Sequence, residues 1–377
     1  MNQADFQFDL PEDLIAQSPP TRRGDSRLLL VEPGEGTVGE RVFRDLPDLL
    51  RAGDLLVVNE SRVLPARLDT VRADTDGRVE ILLVRPTDRA GEWLAMARPA
   101  RRLREGVRLQ AGDDVLEVTG KTEEGMVTIS GTRDPGAIAE DSGVMPLPPY
   151  IRRQADDPRA AEDRTRYQTV FASDNPGSVA APTAGLHFSE TTLAKLAERG
   201  VGLSTVTLHV GPGTFQPPSD EQIAARRLHR EFFGLTSRTM EDIARTRSAG
   251  GRVIAVGTTT LRVLETVHRL DLDPDGPERR DFEDPAGFFE GSAVRVRGNW
   301  AVSGSTRLFI SPPDRVSCVD GLITNFHLPG SSLLMLVASV AGDSAWRKVY
   351  EHAVSERMRF YSYGDCMLIL PGMGDPQ

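Results

Sequence analysis

Apolar runs of two textures divide the chain. Between 68 and 131 they are short and close together: Leu68 to Val71, Arg78 to Val84, Trp93 to Ala97, Val107 to Leu109, Val115 to Val118 and Met126 to Ile129. Gly, Asp or Pro stands between most of them, which predicts a small antiparallel barrel or sandwich. Elsewhere strands alternate with helices. Asp54 to Asn59 reads as a buried strand after the turn at Ala52-Gly53. Glu190 to Arg199 reads as a helix, with Ser189 as N-cap and Gly200 as stop. Val206 to Val210 is a predicted strand, Asp220 to Arg227 and Arg238 to Ser248 are predicted helices, and Arg252 to Val256 is a strand leading into a helix at Leu261 to Leu270. Leu333 to Ala341 is apolar nearly all round, as a buried helix is, and Cys366 to Leu370 closes the pattern as a buried strand. The acidic segment 271–292 predicts a loop. Three prolines between Pro146 and Pro149 forbid helix and predict an extended connector. The fold expected is an α/β main domain with an inserted small antiparallel β-barrel domain. The boundaries fall at 1–67 and 153–377 for the large domain and 68–152 for the small one.

Composition narrows the function. The 377 residues carry 45 Lys plus Arg against 55 Asp plus Glu, a net charge of −10, which excludes a generic DNA-coating protein. The positive charge is nearly all Arg, a side chain suited to base stacking and bidentate phosphate contacts. The apolar run at Leu333 is about half of what a bilayer-spanning helix needs, so no membrane partner is expected. Two cysteines, Cys318 and Cys366, make neither a disulfide framework nor a four-cysteine zinc site. With an acidic N-terminus unlike a signal peptide, the expected compartment is the cytoplasm.

Candidate chemistry sits in six places, each at the end of a predicted element. Ala181 to Ser189 is a tight loop carrying His187, a residue type suited to general acid–base work. Thr207 to Phe215 is a strand entering a glycine-rich turn. In Leu228-His229-Arg230-Glu231, an extended backbone puts His229 and Glu231 on one face, where imidazole and carboxylate can orient each other. No Pro-Cys-x-x-Cys follows, so this is not a deaminase zinc site. Val253 to Arg262 runs a buried strand through Gly257 into Thr258, Thr259 and Thr260 at a helix start, the best anion site in the chain. Leu322 to Ser332 presents Asn325 and His327, and Arg359 to Asp365 presents aromatics with a carboxylate. Singly, each also fits a plain turn, cap or core loop.

The same segments, in order, resemble the S-adenosylmethionine:tRNA ribosyltransferase-isomerase family of queuosine biosynthesis. The resemblance also takes in Phe8-Asp9-Leu10-Pro11, Arg22 to Leu29, Asn59 to Arg67, Met145 to Tyr150 and Tyr167 to Phe171, and so spans nearly the whole chain. It implies a large α/β domain with a six-stranded barrel. It also implies transfer and isomerisation of the ribosyl part of S-adenosylmethionine onto 7-aminomethyl-7-deazaguanine at the tRNA wobble position, giving epoxyqueuosine, adenine and methionine. S-adenosylmethionine is then a consumed substrate, and neither cofactor nor metal is implied. A base must take a proton from C5′, which the sulfonium acidifies, and an acid must protonate departing adenine.

On that resemblance, His187 or His229 is the expected base, with Glu231 orienting it. Thr258, Thr259 and Thr260 hold an anionic group, and Asn325, His327, Tyr363 and Asp365 line the S-adenosylmethionine pocket. Arg101, Arg102 and Arg104, with Arg152 and Arg153 near the connector, are the expected contacts to the tRNA anticodon stem-loop, and the chain is expected to work as a monomer. Five positions depart from the family pattern: Arg226 replaces a His, Pro313-Asp314 replaces a Gly-Tyr, Met358 replaces a Tyr, and Pro218 replaces a Val. These leave two alternatives open, a paralogue with a different amine acceptor and a non-catalytic tRNA-binding relative.

Overall fold

Four parallel strands, Gly202–Leu208, Leu55–Asn59, Val253–Val256 and Gly321–Asn325, lie side by side at the centre of the protein. The computed structural model describes residues 3–122, 125–154, 157–173, 176–211, 217–273 and 276–373. Leu55–Asn59 and Val253–Val256 are buried along their whole length, which their unbroken apolar sequences require of strands covered on both faces. Side chains alternate between two cores. Val57, Ala255 and Val206 face Leu261, Leu334 and Trp346, whereas Leu56, Val58 and Ile254 face Phe188 and Leu196.

Beyond Gly321–Asn325 come Cys366–Ile369, Arg27–Glu32 and the edge strand Gly36–Val42. On the other side the sheet runs antiparallel through Arg227–Leu235, Asn299–Leu308, Phe289–Val296 and Arg279–Glu283. It has 11 strands among the described residues. The last two correct the loop expected over 271–292. They form a largely exposed edge hairpin, so polar and charged residues fill most positions and hide the period-2 pattern. The helix expected over Asp220 to Arg227 stops at Ala225, because Arg226 turns left-handed (φ 53°) and the next strand begins at Arg227. Ser189, Thr236 and Ser331 each accept the third N–H of the helix they start, fixing Glu190–Glu198, Ser237–Ser248 and Ser332–Ala341. Among the described residues no helix is long and apolar enough to cross a membrane.

The six short runs form a closed antiparallel barrel. Its strands, in spatial order, are Val127–Gly131, Glu92–Arg98, Arg78–Pro86, Arg67–Arg72, Arg108–Ala111 and Asp114–Lys121. Leu68, Ile81, Leu83, Leu109, Leu116 and Ile129 fill its interior, so it is a packed core with no free sheet edge. Where the chain enters and leaves the barrel, Arg67 and Val144 exchange two backbone bonds of 3.3 and 2.9 Å, and Arg62–Val63 before them pairs in parallel with Pro176–Ser178. Arg85 of the barrel lies over the Phe232 ring of the large sheet, 5.1 Å from its centroid.

Candidate functional site at the carboxyl edge of the parallel strands

The central strands end on one side of the sheet, and a cleft of about 710 Å³, continuous with solvent, opens there. Open α/β sheets bind ligands at this edge, because the strand-to-helix turns leave backbone groups and loops free. Val210, Gly257, Thr258, Thr259, Thr324, Asn325 and His327 line it from the strand ends. Ala180 to Ala184, Leu328, Ser331 and Leu333, with Tyr150, Tyr361 and Ser362, complete the wall. The glycine turn expected at Gly211 to Phe215 lies, from 212 on, outside the described residues.

Gly257 (φ 89°) turns the buried strand into the helix Thr258–His268 and gives it no side-chain cap. Among the described residues the N–H groups of its first turn therefore have no side-chain acceptor, and two of the three threonines face the cleft. Thr259 Oγ1 accepts from Asn59 Nδ2 at 3.4 Å. Thr260 does not line the cleft. It is fully buried, and its hydroxyl donates to the Val256 carbonyl at 2.8 Å, because the third residue of a helix turn points back over the strand it left.

His327 lines the cleft, with Nε2 2.8 Å from Thr324 Oγ1 and its backbone N–H donating to Tyr350 Oη at 3.0 Å. Burial holds its pKa down to about 3, so the imidazole is neutral. His187 stands one layer behind. Its Nδ1 lies 2.9 Å from Ser26 Oγ, and Nε2 accepts from Asn325 Nδ2 at 3.0 Å. Burial first, then Arg359 and Arg23, lowers its pKa to about 3. Both its nitrogens are engaged, so His187 orients Asn325 and does not itself face the cleft. Asn325 Nδ2 also donates to the Tyr361 carbonyl at 3.0 Å, while its Oδ1 is buried with no partner among the described residues.

The aromatic loop is turned by one residue from the expected arrangement. Tyr361 sits at φ 71°, and Gly364 N–H closes the turn on its carbonyl at 2.9 Å. Tyr361 and Ser362 thereby face the cleft. Tyr361 stacks on Tyr150 (4.4 Å, 24° between planes), and Tyr150 Oη lies 2.7 Å from Ser362 Oγ. Burial raises the pKa of both tyrosines, so both stay protonated. Tyr363 and Asp365, expected in the pocket, point elsewhere. Tyr363 Oη donates to Asp163 at 2.9 Å, and the Asp365 carboxylate accepts the Arg27 and Arg359 N–H groups, each at 2.8 Å. They fasten the loop to the sheet. Tyr150, Tyr361, Ser362 and Thr324 each lie inside the motifs named above, but only the local backbone path distinguishes them from their neighbours.

The expected pairing of His229 with Glu231 does not form. The strand has a register shift between Arg227 and Glu231, which breaks the alternation that puts i and i+2 on one face. His229 is exposed, whereas Glu231 is buried, ion-pairs with Arg262 and accepts the Gly211 N–H at 3.1 Å. Burial lowers the pKa of Arg262 to about 10, and the guanidinium is still charged at neutral pH. Glu231 thus holds the chain next to Val210 rather than facing the cleft.

Arg101, Arg102 and Arg104 are exposed on the barrel, and Arg152 is exposed beside Glu12 at 3.0 Å. Arg153 is not available to a nucleic acid, since it grips Asp163 through two bonds of 2.6 and 2.9 Å. Two departures from the resemblance meet in space: Arg226 is ion-paired with Asp314. Each supplies the charge the other needs.

The description "Queuosine biosynthesis protein" belongs to the family model that matches residues 3–369. A relative from Azoarcus is 46% identical over 97% of this chain and 96% of its own. Another from Gloeobacter violaceus is 46% identical over 98% and 96%. Both are named S-adenosylmethionine:tRNA ribosyltransferase-isomerase. The crystal structure of the S-adenosylmethionine tRNA ribosyltransferase from Thermotoga maritima is 31% identical and covers 97% of this chain and all of its own, with a TM-score of 0.52. The matched span includes the barrel, the parallel strands and every side chain of the cleft described above, and the chain belongs to the queuosine biosynthesis protein family.

Proposed function

We propose that this protein transfers and isomerises the ribosyl part of S-adenosylmethionine onto 7-aminomethyl-7-deazaguanine at the wobble position of tRNA, releasing adenine and methionine. The observation that carries the reading is near-full-length identity of 43–46% with chains named for that activity. The cleft supports it chemically. The uncapped helix start at Thr258 and Thr259 suits the methionine carboxylate. The Tyr150–Tyr361 stack offers ring faces to a sulfonium or an adenine. Asn325 and His327 supply neutral polar contacts between them, and His187 and Glu231 act through the groups they hold. S-adenosylmethionine is consumed here, so it counts as substrate. Arg101, Arg102, Arg104 and Arg152 are the side chains for the anticodon stem-loop, whose binding then weakens as salt rises.

The test mixes the protein with S-adenosylmethionine and an anticodon stem-loop carrying 7-aminomethyl-7-deazaguanine. Adenine and methionine released in equal amounts, with the epoxide-bearing nucleoside found by mass spectrometry, is the expected result. S-adenosylmethionine binding with no release overturns it in favour of another amine acceptor.

A further inference from the structure

We infer that His327 is the base that removes the proton from the carbon next to the sulfonium, and that Thr324 fixes the tautomer it needs. The inference rests on the proposed reaction, and the cleft itself selects the residue. Among the described lining residues only Tyr150, Tyr361 and His327 titrate. Both tyrosines are held protonated by burial, so neither offers a lone pair of basic strength. The other nearby imidazole, His187, has both nitrogens committed to Ser26 and Asn325. His327 has Nε2 committed to Thr324 Oγ1, whereas Nδ1 has no partner among the described residues.

With Nε2–H donating to Thr324, the lone pair sits on Nδ1, and the ring lines the cleft. The C5′–H bond then breaks, its electron pair stays on carbon beside the positive sulfur, and an N–H bond forms at Nδ1. The sulfonium becomes a neutral ylide as the imidazole becomes imidazolium, so the charge inside the cleft is unchanged. This answers the obvious objection. Burial disfavours adding a charge to His327 in the empty cleft, but here a charge is exchanged with the ligand and not added. Burial also keeps the imidazole unprotonated, and therefore competent, throughout the neutral range.

Three variants test this in the full chain: His327→Gln, Thr324→Val and Thr324→Ser. His327→Gln keeps an amide within reach of Thr324 but cannot accept the proton. It is expected to slow adenine release by about 100-fold or more, while S-adenosylmethionine binding, read by calorimetry, stays within about threefold. With S-adenosylmethionine deuterated at C5′, the isotope effect on kcat/KM is expected to rise in His327→Gln, because proton removal becomes the slow step. Thr324→Val is expected to show the same rise with a smaller loss of rate, and Thr324→Ser to restore both. Turnover within threefold of the parent in His327→Gln overturns the assignment. So does an equal loss of binding and turnover with an unchanged isotope effect, which marks a merely structural histidine. If the unmodified protein releases no adenine with this acceptor, the functional reading itself fails and the inference falls with it.

Discussion

The two ends of the same parallel strands are finished in opposite ways. At the amino end, Asp54 is buried and its carboxylate accepts four bonds, from Arg51 N–H, Arg252 N–H, Arg252 Nε and Arg252 Nη2, at 2.6 to 3.2 Å. Asp320 there accepts the Val253 N–H at 2.8 Å. At the carboxyl end, Asn325 Oδ1, Tyr361 Oη and His209 Nδ1 are buried without a partner among the described residues. Native proteins leave few such groups, because each forfeits the bonds it had with water. Asn325 and Tyr361 line the open cleft, so these unmet groups mark that end as one a ligand would complete, whereas the Asp54 cluster serves stability.

Three measurements break or sharpen that contrast. The largest effect is expected at the satisfied end. Asp54→Ala strands the Arg252 guanidinium and leaves two N–H groups without their acceptor, at a cost of about 3–5 kcal/mol in urea unfolding. The folded fraction should bind S-adenosylmethionine as before, and a loss of less than 1 kcal/mol would abolish the distinction.

Next comes acid, which acts on the functional end through His187 and His327. Both pKa values lie near 3 in the folded chain and near 6.5 when unfolded, so the unfolded chain binds the protons. Stability from this source is complete above about pH 6.5 and falls as the pH drops toward 3. At pH 5 the loss is about 2 kcal/mol per histidine. A His187→Asn variant should flatten part of that slope between pH 6.5 and 5. The smallest effect carries the opposite sign. Tyr361→Phe removes an unpartnered hydroxyl and is expected to leave stability unchanged or raise it by up to about 1 kcal/mol, while S-adenosylmethionine affinity falls. Equal losses of stability and affinity would show that the hydroxyl serves the fold.

The barrel was legible in the sequence because each of its strands pairs with a near neighbour in the chain, so local alternation and turn residues carry most of its information. The buried strands of the large sheet, whose partners lie far away in the chain, were legible for a different reason: a strand covered on both faces is apolar at nearly every position. The hairpin at Arg279 to Val296 was not, since Phe282 and Ala293 are its only buried side chains, too few to write an alternating apolar pattern. The site was legible as a set of segments and not as side chains. Thr258, Thr259, Asn325 and His327 face the cleft, but whether Tyr361 or Tyr363 does depends on one positive φ. Likewise His187 and His327 look alike in sequence. What divides them is that Asn325 lies between one of them and the cleft, a relation among segments more than a hundred residues apart.

The strand order also fixes a sequence of events at the ribosome. Leu55–Asn59 is synthesised before the barrel, and its parallel neighbours Gly202–Leu208 and Val253–Val256 only after it. At about 5–20 residues per second, that strand waits on the order of ten seconds for its first partner. The barrel, made of adjacent hairpins, closes within that interval. A nascent chain therefore carries a finished small domain while Leu-Leu-Val-Val of the future sheet centre is still bare. That stretch is where a holding chaperone would bind during synthesis, and where a slowed ribosome would most expose the chain to aggregation.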